Sequence, residues 1–234
     1  MTQPWDDALD ALSVLVDPVR RSMYRFARTV GRPVSREEVA EATGSSVKLA
    51  AFHLDKLVEH GWLRAQYDPS SRPATGGRPP KQYTPTERQV ELSLPARRYD
   101  LMAAILLDAS ARETDDIVKQ ARQVAFDRGR AAAERSRTSG RRGRLGADRT
   151  LAAAVELLAG FGFEPRQTGQ GGIVMANCPF RSLADTAPAT VCEAAKALAE
   201  GLLAGLGGFG VEVAIDRADD RCCVVLRRSK PRRA

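Results

Sequence analysis

The stretch Ser35-Arg-Glu-Glu-Val-Ala-Glu-Ala-Thr-Gly-Ser-Ser-Val-Lys-Leu-Ala-Ala-Phe-His-Leu-Asp-Lys-Leu-Val-Glu-His-Gly61 decides the N-terminal fold. Ser35 and Glu38 have the Ser-x-x-Glu spacing of a capping box, which opens a short helix through Val39 and Ala42. Gly44 supplies a turn, and Ser45 or Ser46 then caps a second helix that runs to His60 and closes at Gly61. Val47, Ala50, Ala51, Leu54, Leu57 and Val58 fall on one face of that second helix. Two helices joined by a short glycine turn, the second of them amphipathic, form the helix-turn-helix pattern.

The flanks extend the pattern in both directions. Asp17-Pro18 reads as an N-cap with proline at the first helical position, followed by a helix through Val19, Met23, Phe26 and Ala27 that stops near Gly31. After the helix pair, Trp62 to Tyr67 reads as a strand. Asp68 to Lys81 is a Pro/Gly/Arg loop, and Gln82-Tyr83-Thr84 returns as a second strand. The result is a β-hairpin with Arg72, Arg78 and Lys81 at its tip, residues suited to phosphate or to a narrow minor groove. With Val47 and Leu54 taken as core, the opposite face of the helix offers Ser45, Ser46, Lys48, Leu49, Phe52, His53 and Lys56. Lys48 and Lys56 suit phosphate or guanine, and Leu49 and Phe52 suit thymine methyl groups. His53 is placed to pack or to meet phosphate.

His53-Leu54, Leu57, Gly61-Trp-Leu63, Gly77-Arg78-Pro79 and Tyr83-Thr84 resemble the winged helix-turn-helix of bacterial ArsR-type repressors. Val16-Asp17-Pro18-Val-Arg20-Arg21 is similar to the Asp-Pro-x-Arg-Arg opening of the same domains. The resemblance covers residues 12–90 and implies a dimeric transcription factor that binds a double-stranded DNA operator with its third helix in the major groove. The family often carries arginine where this chain has Ala51.

Further along, residues 96–135 read as long helix, through Leu101, Ala104, Ile105, Ile117, Ala121, Val124 and Ala125. Ser136 to Gly146, with three glycines and several arginines, reads as a linker. Of the formal charge of +7, residues 91–150 contribute +4, so the basic excess lies mainly outside the helix-turn-helix. From Ala147 a compact α+β pattern begins. It comprises a helix over Leu151–Gly160, a strand over Gly171–Ala176, a helix from Pro188 to Leu203, and a hairpin of Val211–Ile215 with Cys222–Leu226. These give a small domain with a three-stranded sheet.

All four cysteines lie in this last part, as Cys178, Cys192, Cys222 and Cys223, and the first 177 residues hold none. Adjacent residues on a strand point to opposite faces, so Cys222 and Cys223 do not both aim at one centre unless a bulge intervenes. That leaves three sulfurs, with a fourth ligand from Asp, Glu, solvent or a bulged cysteine. Thiolate sites of this kind suit zinc or an iron–sulfur cluster, and free cysteines also serve as small buried hydrophobes.

Asn177-Cys178-Pro-Phe180, Leu183-Ala184, Pro188, Val191-Cys192, Leu198, Gly201-Leu202 and Cys222 resemble the C-terminal domain of SufR-like repressors. That subfamily joins a winged helix to an iron–sulfur-sensing domain. Ala195 stands where relatives commonly carry histidine. The implied organisation is an α+β chain in three parts. Residues 1–95 form the winged helix-turn-helix, 96–146 the dimerisation helices and linker of a homodimer, and 147–234 the cysteine-containing sensor domain.

Composition excludes several other classes. No apolar run reaches the roughly 20 residues of a membrane span. Asp6, Asp7 and Asp10 speak against a secretory signal, and four cysteines are too few for a disulfide scaffold, so a cytoplasmic protein is expected. The chain's two histidines, His53 and His60, both lie on the second helix of the pair. No imidazole is therefore left to activate a C-terminal cysteine, and no enzyme is expected. The alternative is a winged-helix regulator whose C-terminal domain binds an organic ligand or only dimerises, with inert cysteines.

Overall fold

The computed structural model describes residues 5–67, 79–112, 116–137, 146–169, 171–218 and 221–229. It is a mixed α+β structure whose contacts divide it into two compact units, residues 1–92 and 93–234.

In the first unit, local signals place the helices. Helix α1 (Asp6–Ser13) precedes α2 (Pro18–Val30), whose start is fixed by the Asp17 carboxylate accepting from the Arg20 amide at 2.9 Å. Gly31 ends α2 at φ +68°, a left-handed conformation that glycine adopts without a Cβ clash. Strand β1 (Val34–Ser35) leads into α3 (Arg36–Thr43). Here the capping box is complete: the Glu38 amide donates to Ser35 Oγ at 3.2 Å, and the Ser35 amide to the Glu38 carboxylate at 2.8 Å. Ser46, not Ser45, caps α4 (Val47–Glu59), accepting from the Leu49 amide at 3.2 Å. Strands β2 (Leu63–Tyr67) and β3 (Lys81–Pro85) then pair antiparallel, and β1 joins the far side of β3. Met23, Ala27, Val39, Ala50, Leu54, Leu57 and Tyr83 form the core between helices and sheet.

Three expectations are corrected in the described residues. Val47 is 40 % exposed rather than core: it is the first residue of α4, and the buried face of the helix begins at Ala50. The long helix of residues 96–135 is two helices, α5 (Tyr99–Ser110) and α6 (Ile117–Arg137). The break is set by Asp116, whose carboxylate accepts from the Lys119 amide at 2.9 Å and starts α6 afresh. The C-terminal sheet has four strands, not three. β4 (Pro165–Gln167) pairs with β5 (Ile173–Met175), then β7 (Val224–Arg228), then β6 (Val211–Ile215), all antiparallel. The added edge strand starts on a proline, which an edge tolerates because one side of it needs no ladder hydrogen bond.

Both α5 and α6 belong to the second unit, with α7 (Ala147–Gly160), α8 (Arg181–Thr186) and α9 (Pro188–Leu206). Helices α6 and α9 meet backbone to backbone. A Cβ on Gly129 would run into the Leu198 carbonyl, and one on Gly201 into that of Phe126. Leu101, Met102, Ile105, Leu158, Phe163, Phe180, Leu198 and Leu226 fill the core between these helices and the sheet.

Candidate functional site

Two sites follow from the residues singled out above, one in each unit. On α4, Leu49 and Phe52 are exposed, Phe52 at 54 %, and Lys48 and Ser46 lie on the exposed surface with them. An exposed phenylalanine on a helix otherwise packed by its apolar face is a surface feature that burial does not account for. Ser45 is half-buried, with its hydroxyl 3.1 Å from that of Thr43. Lys56 is ion-paired with Glu59 at 2.7 Å. Lys81, opposite Tyr67 at the loop end of the hairpin, is ion-paired with Asp55, whose carboxylate also accepts from the Tyr83 hydroxyl at 2.9 Å. Burial, then the Asp55 carboxylate, pushes the Tyr83 phenol well above its ordinary value, so it stays a donor. Arg72 and Arg78 lie outside the described residues.

His53 is not on this surface. It is 6 % exposed, with its Nδ1 accepting from Arg20 Nε at 3.3 Å and its ring edge-to-face with Phe52. An imidazole that accepts from a guanidinium holds a lone pair at Nδ1, so this histidine orients α4 against α2. Arg20, which the sequence reading did not assign to the site, also donates to the Val14 carbonyl at 3.1 Å and so ties α4 to the chain before α2. The paired arginines after Asp17-Pro18 were the only signal for it.

In the second unit, β5 ends at Met175, and the chain turns through Asn177 and Cys178 into a segment anchored by the fully buried Phe180. Cys192 lies in the first turns of α9. Cys222 and Cys223 precede β7 instead of lying within it, because the strand starts at Val224. The alternation that would separate their side chains therefore does not apply. The Cys222 amide donates to the Met175 carbonyl at 2.9 Å, which brings this segment to the end of β5 where Cys178 sits.

The four thiols interact in a chain: Cys178 with Cys222, Cys222 with Cys223, and Cys223 with Cys192. None is in a disulfide. Cys178, Cys192 and Cys222 are buried, and Cys223 is partly open. Hydrogen bonds from Cys192 and then Cys222 pull the Cys223 thiol down to about 3, with Arg217 adding to the effect. A hydrogen bond from Cys222 likewise lowers Cys178. Cys192 and Cys222, the donors in these contacts, are pushed up, and burial pushes them further.

Among the described residues, no group of three or more His, Cys, Asp or Glu side chains is arranged to hold a metal ion. The sulfurs form an open chain, not a closed ligand set. The donor chemistry fits a thiophilic centre: four soft sulfurs from three separate segments, mostly sheltered from water. Among the described residues, no helix is long and apolar enough to cross a membrane. No family model, curated protein or solved structure matches the chain.

Proposed function

We propose that the chain is a DNA-binding transcriptional regulator, a repressor acting as a homodimer, whose operator binding is controlled by an iron–sulfur cluster or metal held by the C-terminal cysteines. The observation that carries the reading is the meeting of Cys178, Cys192, Cys222 and Cys223. They come from three segments spread over 46 residues, and each shifts the acidity of another.

The arrangement of α3, the Gly44 turn, α4 and the β2–β3 hairpin supports a winged helix-turn-helix, with α4 as its DNA-reading helix. In this reading Leu49 and Phe52 meet base edges, and Lys48 meets phosphate. Lys56 and Lys81 already have carboxylate partners, so DNA phosphate would have to compete with Glu59 and Asp55 for them. Cys178, Cys192 and Cys222 would hold the cluster or ion, with Cys223, the least buried thiol, as fourth donor. Such a centre would supply a charged anchor joining the three segments, redox-sensitive if it is a cluster. Operator affinity would then change to the extent that the bound centre favours one conformation over another.

The test is anaerobic purification with iron, sulfide and zinc counts and an ultraviolet–visible spectrum, followed by gel shifts on an operator selected from random DNA. Iron with equimolar sulfide identifies a cluster, and zinc without sulfide identifies a metal site. In Cys178→Ser we expect the centre to be lost and operator affinity to change by five-fold or more. A colourless, metal-free protein that binds DNA normally would instead select a domain that takes an organic ligand or only dimerises. Unchanged metal content and DNA affinity in Cys178→Ser would overturn the sensing reading.

A further inference from the structure

The loop that carries Cys178 also grips the chain at the start of the second unit. Asn177 is 7 % exposed, and its amide group donates to the carbonyls of Ala96 and Gly162, each at 2.8 Å. Its Oδ1 accepts from Arg97 Nη1 at 2.5 Å, and the same guanidinium nitrogen donates to the Cys178 carbonyl at 3.2 Å. The next backbone amide, that of Arg98, donates to the Pro179 carbonyl at 2.9 Å. Residues 96, 97 and 98 are thus each hydrogen-bonded to residues 177–179, some 80 positions away in sequence.

The close approach is built into the backbone. Gly162 has φ +87°, and a Cβ there would stand 3.2 Å from Arg98, 3.3 Å from Ala96 and 3.4 Å from Pro179. The left-handed φ favours glycine at the point where the end of α7, the cysteine loop and residues 96–98 converge. A carboxamide buried with both its oxygen and its nitrogen engaged is a geometrically demanding part, since losing any one partner leaves a polar atom unpaired away from water.

The position of this clasp in the chain gives it meaning. The boundary between the two units falls between residues 92 and 93, so residues 93–98 are the covalent connection from the first unit to α5. Whatever moves the Cys178 backbone moves the carbonyl that Arg97 holds and the loop that holds the Arg98 amide. We infer that Asn177 and Arg97 are positioning residues that carry the state of the cysteine site to the interdomain connection, and through it to the DNA-binding unit. The inference rests on the regulatory function proposed above and adds the physical route.

The test uses the full-length wild type, Asn177→Ala and the milder Arg97→Ala, each prepared with its native centre and again after removal of metal by chelator. Three quantities are read: metal and sulfide content, hydrogen exchange at the Arg98 amide, and operator affinity by gel shift. In the wild type, removing the centre should speed Arg98 exchange at least ten-fold and change operator affinity at least five-fold. Both variants should keep the centre. Their Arg98 amides should exchange fast with or without it, and their operator affinity should change less than two-fold on its removal. If Asn177→Ala does not fold, Arg97→Ala carries the test alone.

Variants that retain the full wild-type response in both exchange and affinity would overturn the clasp while leaving the sensing function intact. A wild type whose operator affinity is indifferent to the centre would overturn the sensing function, and the clasp with it.

Discussion

The two units assemble their candidate sites by opposite means. The α4 surface is made by one helix, with every member within about three turns and caps that lie beside the residues they fix. The cysteine site takes its four members from the end of a strand, the start of a helix and the approach to another strand. Its geometry exists only once β5 has paired with β7 and α9 has packed on α6. A site of the first kind tolerates damage elsewhere in its unit so long as the helix stays anchored. A site of the second kind is lost when any of several long-range contacts fails.

The largest effect should come from Gly201→Leu. The new side chain would run into the backbone of Phe126 and Arg130, and backbone yields less readily than a rotamer. A loss of about 3 kcal/mol or more is expected, at the upper end of overpacking costs. Urea denaturation should show it, together with loss of any metal or cluster. A variant that stays stable and keeps its centre would show that the cysteine site does not depend on the α6–α9 contact. Next, Leu54→Ala empties a fully buried position between α4 and the rest of the first unit, at about 2–5 kcal/mol. Operator binding should weaken while metal content stays at the wild-type level, which separates the two sites.

Removing the Ser35 hydroxyl in Ser35→Ala breaks half the capping box of α3 and should cost about 1 kcal/mol in urea denaturation. The smallest effect is pH-dependent. The hydrogen bond from Arg32, then that from the Ser35 amide, holds the Glu38 carboxyl below its ordinary value. A carboxylate with a depressed pKa in the folded state stabilises above its unfolded pKa of about 4.3, and the stabilisation is lost as pH falls through the folded value. The stability gap between wild type and Glu38→Gln should therefore be full at pH 7 and close below about pH 4. A gap that widens in acid would contradict the pairing.

The same contrast explains what was legible in the sequence. The Asp17 and Ser35 caps and the Gly31, Gly44 and Gly61 stops each depend on residues three or four apart, so spacing alone points to them, whereas for α4 it leaves Ser45 and Ser46 equally open. His53 was harder. Its helical position fits an exposed face, and only the presence of Arg20, 33 residues earlier, shows that it turns inward. In the second unit, composition located the cysteines but not their relation, because Cys222 reaches Cys178 through strand pairing and not through spacing. Strand β4 escaped notice because Pro165-Arg-Gln167 has neither β-branched residues nor apolar alternation. Asn177 and Arg97 gave no separate signal, since their partnership spans 80 positions.

The glycine contact between α6 and α9 has a mechanical consequence. Most helix pairs are cushioned by side chains, whose rotamers absorb small shifts before the partner responds. Here that cushion is missing along Gly129, Gly201 and Gly205, and main chain rests on main chain. A displacement of Cys192 along the axis of α9 therefore has no soft layer in which to dissipate. The two helices behave as a single stiff strut, with a sulfur near one end and the long arginine-bearing helix α6 as its other rail.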